Sequence, residues 1–168
     1  MPSREELASA LAECLREVGS LLEHAHMVAL QQQDALIKND AEALTASCAA
    51  QEEVVRMITQ TDQRAAALAD QIAEDAGLGE ADVTPEAIAE AAGVPYSVVI
   101  LRELTRIPDL AQRVREANEI NSHLLRNGLE IIASCLRIVA GESEPSTYSK
   151  DASKPSAPGS AISLNSLA

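Results

Sequence analysis

Two histidines separated by one residue, three cysteines and several acidic pairs are the side chains of this sequence with the chemistry to hold a metal or move a proton. On a helix His24 and His26 point about 200° apart and cannot share an ion, while His123 has no Cys or Asp beside it at ligand spacing. Cys14, Cys48 and Cys135 are odd in number and widely spaced, against a disulfide framework or a CxxC metal site. Each lies in an apolar helical pattern and reads as a small buried hydrophobe in a reducing compartment. Glu5-Glu6, Glu52-Glu53 and Glu142/Glu144 fall on outer faces or in the tail, where solvated charge is the ordinary explanation. There is no Gly-rich phosphate loop, GxSxG or HExxH, the spacings that would announce nucleotide, acyl-transfer or zinc chemistry. No catalytic residue, cofactor or metal is expected, and the protein is not expected to be an enzyme. The enzymatic alternative, a helical hydrolase or metal-dependent regulator using His24, His26 and glutamates, would show itself as bound metal in elemental analysis.

Composition narrows the remaining classes. Of 168 residues 46% are hydrophobic, yet Trp and Phe are absent and Tyr96 and Tyr148 are the aromatic residues. The core must therefore be Leu, Ile, Val and Ala, as in packed helices. A formal net charge of −13, with Lys38, Lys150 and Lys154 as the lysines, repels phosphate backbones and anionic lipid, so neither nucleic acid nor membrane insertion is expected. The chain passes from Pro2-Ser3-Arg4-Glu5-Glu6 directly into amphipathic sequence, without the apolar run of a signal peptide or membrane span. A soluble cytoplasmic protein is expected.

The elements that carry these residues can be placed from capping and periodicity. Ser3 and Glu6 make a capping box, and Leu7, Leu11, Cys14, Val18, Leu21, Ala25 and Val28 then recur in steps of four and three, with Leu15, Leu22, Ala29 and Leu36 alongside. That stripe is wide enough for two neighbours, and the helix should span residues 4–39, about 55 Å. Asp40 caps a second helix over 41–76, with Leu44, Cys48, Val54, Val55, Ile58, Ala65, Leu68 and Ile72 inward, ended by Gly77-Leu78-Gly79. Two long helices joined by so short a turn must form an antiparallel hairpin. Thr84-Pro85-Glu86 starts and Gly93-Val94-Pro95 stops a short helix, 85–92. Ser97 caps a further segment, 97–107, which meets Pro108 and there either ends or kinks. From 109 to 140 a third long helix carries Leu110, Val114, Ala117, Asn121, Leu124, Gly128, Ile131, Cys135 and Ile138 at helical spacing. The fold class is thus all-α, a three-helix, coiled-coil-like bundle over residues 1–141 with short helices in the connector. Residues 142–168 are rich in Ser, Pro, Ala, Gly and Lys and predict a disordered tail, with Ile162, Leu164 and Leu167 a weak docking pattern at its end.

The unusual feature is polar: Asn118, Glu119, Asn121, Asn127 and Gly128 interrupt the apolar third helix. An Asn in an apolar seam sacrifices stability and fixes register or partner choice, and a Gly there opens a hollow. Asn121 could equally order the bundle, with Gly128 permitting close helix packing.

With its helical hairpin, variable connector and final helix reading NEINSHLLRNGLEIIASCLRIVAG over 118–141, the chain resembles the FlgN-type flagellar export chaperones, which carry an Asn-x-x-Asn helix followed by aliphatic residues. The family commonly has a tail tyrosine in a context like Thr-Tyr-x-x-x-Gly. Here Ser146-Thr147-Tyr148-Ser149-Lys150-Asp151 is similar but lacks the Gly. The resemblance implies a cytoplasmic type III export chaperone. It would bind the C-terminal segments of hook-filament junction (hook-associated) proteins, prevent their premature assembly and deliver them to the export gate. On that reading Leu125, Leu129, Ile132 and Leu136 form the client groove, Asn118 and Asn121 set the client's register, and Tyr148 docks at the gate. The alternatives are that the aliphatic row packs inside the bundle, that Tyr148 has no role, and that the protein is a structural or adaptor homodimer pairing its long helices as a coiled coil.

Overall fold

The computed structural model describes residues 2–79 and 82–140. Among them are four α-helices: α1 (Arg4–Lys38), α2 (Ala41–Ala76), α3 (Pro85–Ala92) and α4 (Tyr96–Val139). The chain divides within α4 into two units, Met1–Ile131 and Ile132–Ala168. The predicted tail, 142–168, with Tyr148, Ile162, Leu164 and Leu167, lies outside the described residues.

The helix ends in the first unit follow their local chemistry. The Ser3 hydroxyl accepts from the Glu6 N–H at 3.3 Å and the Glu6 carboxylate accepts from the Ser3 N–H at 2.7 Å, which satisfies two of the amides a helix start leaves free. That backbone bond is the main reason the Glu6 carboxyl titrates below its ordinary value. At the far end Asn39 takes a left-handed conformation, φ 54°, and the Asp40 N–H reaches back to the Ala35 carbonyl at 2.9 Å. Asp40 then accepts from the Ala43 N–H at 3.0 Å, so one dipeptide closes α1 and opens α2. Gly77 closes α2 at φ 69°, where a Cβ would be strained. Thr84 accepts from the Ala87 N–H at 3.1 Å with Pro85 at the first position of α3.

α1 is the central element. All ten residues Leu7, Leu11, Cys14, Leu15, Val18, Leu21, Leu22, Ala25, Val28 and Ala29 are buried, each large aliphatic one contributing about 1.5–3 kcal/mol. Partners along α1 show the topology. Arg4 bonds Asp75, Arg64 bonds Glu17 and Gln32 bonds Gln51, so α2 runs antiparallel. Arg106 bonds Glu23 and Asn121 bonds Ala29, so α4 runs parallel to α1. One cluster joins Leu11, Ile72, Ile88 and Ile100 from all four helices, and a second joins Val18 and Leu22 to Leu110.

Where the sequence left the outcome at Pro108 open, the structure carries a single helix from Tyr96 to Val139 with Pro108 inside it. The ring removes one backbone hydrogen bond, but Leu104 and Ile107 on one side and Leu110 on the other pack into the two core clusters. Tertiary contacts therefore hold both sides of the interruption in line. Ser97 is not a cap: α4 begins at Tyr96, and the Ser97 N–H bonds the Gly93 carbonyl at 2.8 Å. Cys14 is buried as expected, but Cys48 and Cys135 are exposed. Cys48 lies at the edge of the seam between α2 and α1, where Gln32 donates to its sulfur at 3.8 Å and Ser47 takes the buried position.

Glu103 was not foreseen. Its carboxylate is 1% exposed and pairs with Arg102 at 2.7 Å and Arg106 at 3.1 Å. A Cβ on Gly19 would lie 3.2 Å from Arg106 Nη1 and 3.4 Å from Glu103 Oε2. The glycine, about 1 kcal/mol worse than Ala inside a helix, makes room for this pair against α1. Burial would raise the Glu103 pKa, but the hydrogen bonds from Arg102 and Arg106 outweigh it and hold the carboxyl below the usual range. A group depressed in the fold contributes stability fully above its unfolded pKa and loses it as pH falls through the folded value. Urea midpoints measured from pH 7 to pH 3 should therefore fall more for the native chain than for Glu103→Gln. At pH 7 that variant should lose about 1–3 kcal/mol, toward the low end because the arginines are largely solvated.

Candidate functional site

Within the first unit α4 uses one side to pack. Leu110 and Ala117 are buried against the hairpin, Val114 is half-buried, and Asn121 is 8% exposed. At about 100° per residue, Leu125 and Leu129 lie within about 80° of Asn121 on the same side, yet they are 50% and 57% exposed. The register explains the exposure of Leu129. Asn121 is level with Ala29 and Gln32, and α1 ends at Lys38, so within the first unit α1 has nothing alongside residues 128–131 of α4. Gly128 faces open space, with nothing within 4 Å of a built Cβ; it is not a point of close helix packing.

The second unit contributes residues 132–140 to the description. Ile132, Leu136, Ile138 and Val139 are 56%, 63%, 75% and 84% exposed. The spacing of Leu125 and Leu129 thus continues in sequence through Ile132 and Leu136, and all four expected groove residues are solvent-exposed rather than packed inside a bundle.

The two expected register residues have intramolecular partners. Asn121 donates to the Ala29 carbonyl at 2.8 Å and to Gln32 Oε1 at 3.4 Å. Gln32 in turn bonds Gln51, and Gln51 donates to Asn118 Oδ1 at 3.3 Å. The four amides form one polar layer across α1, α2 and α4. Asn121 Oδ1 is buried without a hydrogen-bond partner, a cost of about 1–3 kcal/mol. The sequence pointed to both asparagines but not to Gln32 and Gln51. Gln32 does occupy an inward position four residues after Val28, a signal hidden in the run Gln31-Gln32-Gln33.

Elsewhere, an open groove of about 570 Å³ between α1 and α2 near their turn is lined by Met27, Leu30, Ala43, Ala46 and Ala50. Among the described residues no group of three or more His, Cys, Asp and Glu side chains could hold a metal ion, and no helix is long and apolar enough to cross a membrane. What this geometry presents is bare aliphatic surface on a helix whose earlier part is locked to a hairpin.

The family model described as FlgN protein matches residues 1–156 of the chain. The chain belongs to the FlgN family. No curated protein and no solved structure matches it. FlgN proteins are flagellar export chaperones, a family of binding proteins and not of enzymes. The match includes the hairpin, the Asn118-x-x-Asn121 layer, the exposed row from Leu125 to Leu136 and Tyr148.

Proposed function

We propose that this FlgN-family chaperone is cytoplasmic and binds the C-terminal segments of hook-filament junction proteins on the exposed row Leu125, Leu129, Ile132 and Leu136, then delivers them to the export gate. The observation that carries the reading is the exposure of these four aliphatic residues on a helix that buries similar residues earlier in its length. A client segment disordered before binding folds as an amphipathic helix, lays its apolar face on the row and hides its own aggregation-prone surface. Four buried side chains at about 1.5–3 kcal/mol each, set against the low end of association and ordering costs of about 4–15 kcal/mol, support binding of about micromolar strength. Without Trp or Phe anchors the affinity stays moderate, which suits a carrier that must release its cargo. Asn118 and Asn121 set the client's register through the position they give α4.

Cys135, exposed beside Ile132 and Leu136 in sequence, supplies the test. A polarity-sensitive dye on Cys135 in a Cys48→Ser chain should shift to the blue, saturably, as junction-protein C-terminal peptide is added. An unchanged spectrum while calorimetry registers binding would place the client elsewhere.

The gate assignment rests on Tyr148, a lone aromatic side chain in a polar segment. Tyr148→Ala should leave client affinity unchanged and weaken capture of the loaded chaperone by immobilised gate protein. Undiminished capture would remove Tyr148 from that role.

A further inference from the structure

We infer that Gln32 and Gln51, acting through Asn118 and Asn121, are positioning residues whose polar layer fixes the axial register on the hairpin of the part of α4 that follows Pro108 and so decides which of its side chains are left bare. The inference deepens the client-binding reading, but the register itself is a property of the free chain. Two features of the geometry carry it.

The first is that, although Ile100 and the Glu103–Arg106 pair beside Gly19 key the start of α4, apolar packing alone does not define the register of the part that follows Pro108. The seam of α4 is Leu110, Val114, Ala117, Asn121 and Leu124, recurring in steps of four and three, and no large aromatic side chain keys it to the hairpin. A slide by three or four residues would bring Ala117 or Leu124 to the level of Ala29 and still bury an apolar side chain. The same slide would separate the amides that now meet. Asn121 reaches α1 at Ala29 and Gln32, while Asn118 reaches α2 through Gln51, so the layer ties α4 to both arms of the hairpin at one level.

The second is that the layer is not built for stability. Asn121 Oδ1 is buried without a partner, and Gln32 and Asn121 are 6% and 8% exposed where aliphatic side chains would pack without loss. Buried polar groups that lower stability while selecting one arrangement have their best-attested use in fixing register.

The test uses full-length chain carrying Cys48→Ser and Cys135→Ser, with spin labels at the exposed positions of Arg16→Cys and Ser122→Cys, which are well separated along the helix axis so that a slide changes their distance by nearly its own length. With the native layer one narrow distance is expected. In Gln32→Leu/Asn121→Leu the urea midpoint should hold or rise, while the distance splits into populations displaced by roughly 5 Å, a slide of three to four residues. A single unshifted distance in that variant would overturn the inference, since a merely structural layer changes the midpoint and not the register. Should the double variant not fold, Gln51→Leu, at a half-buried position, is expected to broaden the distribution, and an unbroadened one overturns the inference equally. Because no client is present, the result is independent of whether the client-binding reading holds.

Discussion

Leu129→Asp is expected to leave the protein folded and to weaken client binding by at least about 100-fold, and Ile132→Asp should do the same. Both side chains are more than half exposed in the free chain, and surface substitutions of this kind ordinarily change stability by no more than about 0.5 kcal/mol. In the complex the loss has two parts. Removing a buried aliphatic side chain forfeits about 1.5–3 kcal/mol, and an unpaired carboxylate against an apolar client face adds its own desolvation penalty. Together they exceed about 2.7 kcal/mol, which is 100-fold. Circular dichroism and urea melts check the first half of the expectation and peptide titration the second. A variant that stays folded and binds within threefold of the native chain would remove that residue from the client surface.

Ile100→Ala should give the largest change in stability, about 2–5 kcal/mol, with little change in client affinity for the molecules that remain folded. Ile100 is 1% exposed and sits where all four helices meet, in one cluster with Leu11, Ile72 and Ile88. Truncating it opens a cavity that backbones held from four directions cannot close. The loss is a large share of the about 5–15 kcal/mol by which domains are ordinarily stable. A shift in the urea midpoint at constant slope would report it. A loss below about 1 kcal/mol would mean that the start of α4 is not docked as described.

The contrast between these two positions shows what the sequence could reveal. Ser3 with Glu6, Asn39-Asp40, Gly77 and Thr84-Pro85 are each sufficient locally to start or stop a helix, so the ends of α1, α2 and α3 were legible to within a residue. The wide stripe of α1 was legible because a helix between two neighbours must be apolar on both sides. Periodicity, however, shows which side of a helix is apolar and not whether a neighbour covers it. Cys135 and the row from Leu125 to Leu136 all have inward spacing, and all are exposed. Continuity through Pro108 was hidden for a related reason. The local cost of proline is visible in the sequence, but the packing of Ile107 and Leu110 that offsets it comes from another helix. Glu103 reads as surface charge until Gly19, some eighty residues away, is seen to make room for it. Of the polar layer, Asn118 and Asn121 stand out because they interrupt an apolar run, whereas Gln32 and Gln51 lie in polar surroundings and gain meaning only from their partners.

Calorimetric titration of the full chain with C-terminal peptides of the hook-filament junction proteins asks whether the exposed end of α4 receives a client helix. The expected result is saturable binding with a negative heat-capacity change, the mark of apolar burial, abolished by Leu129→Asp. No binding at high micromolar peptide, or binding that Leu129→Asp and Ile132→Asp leave untouched, would contradict it.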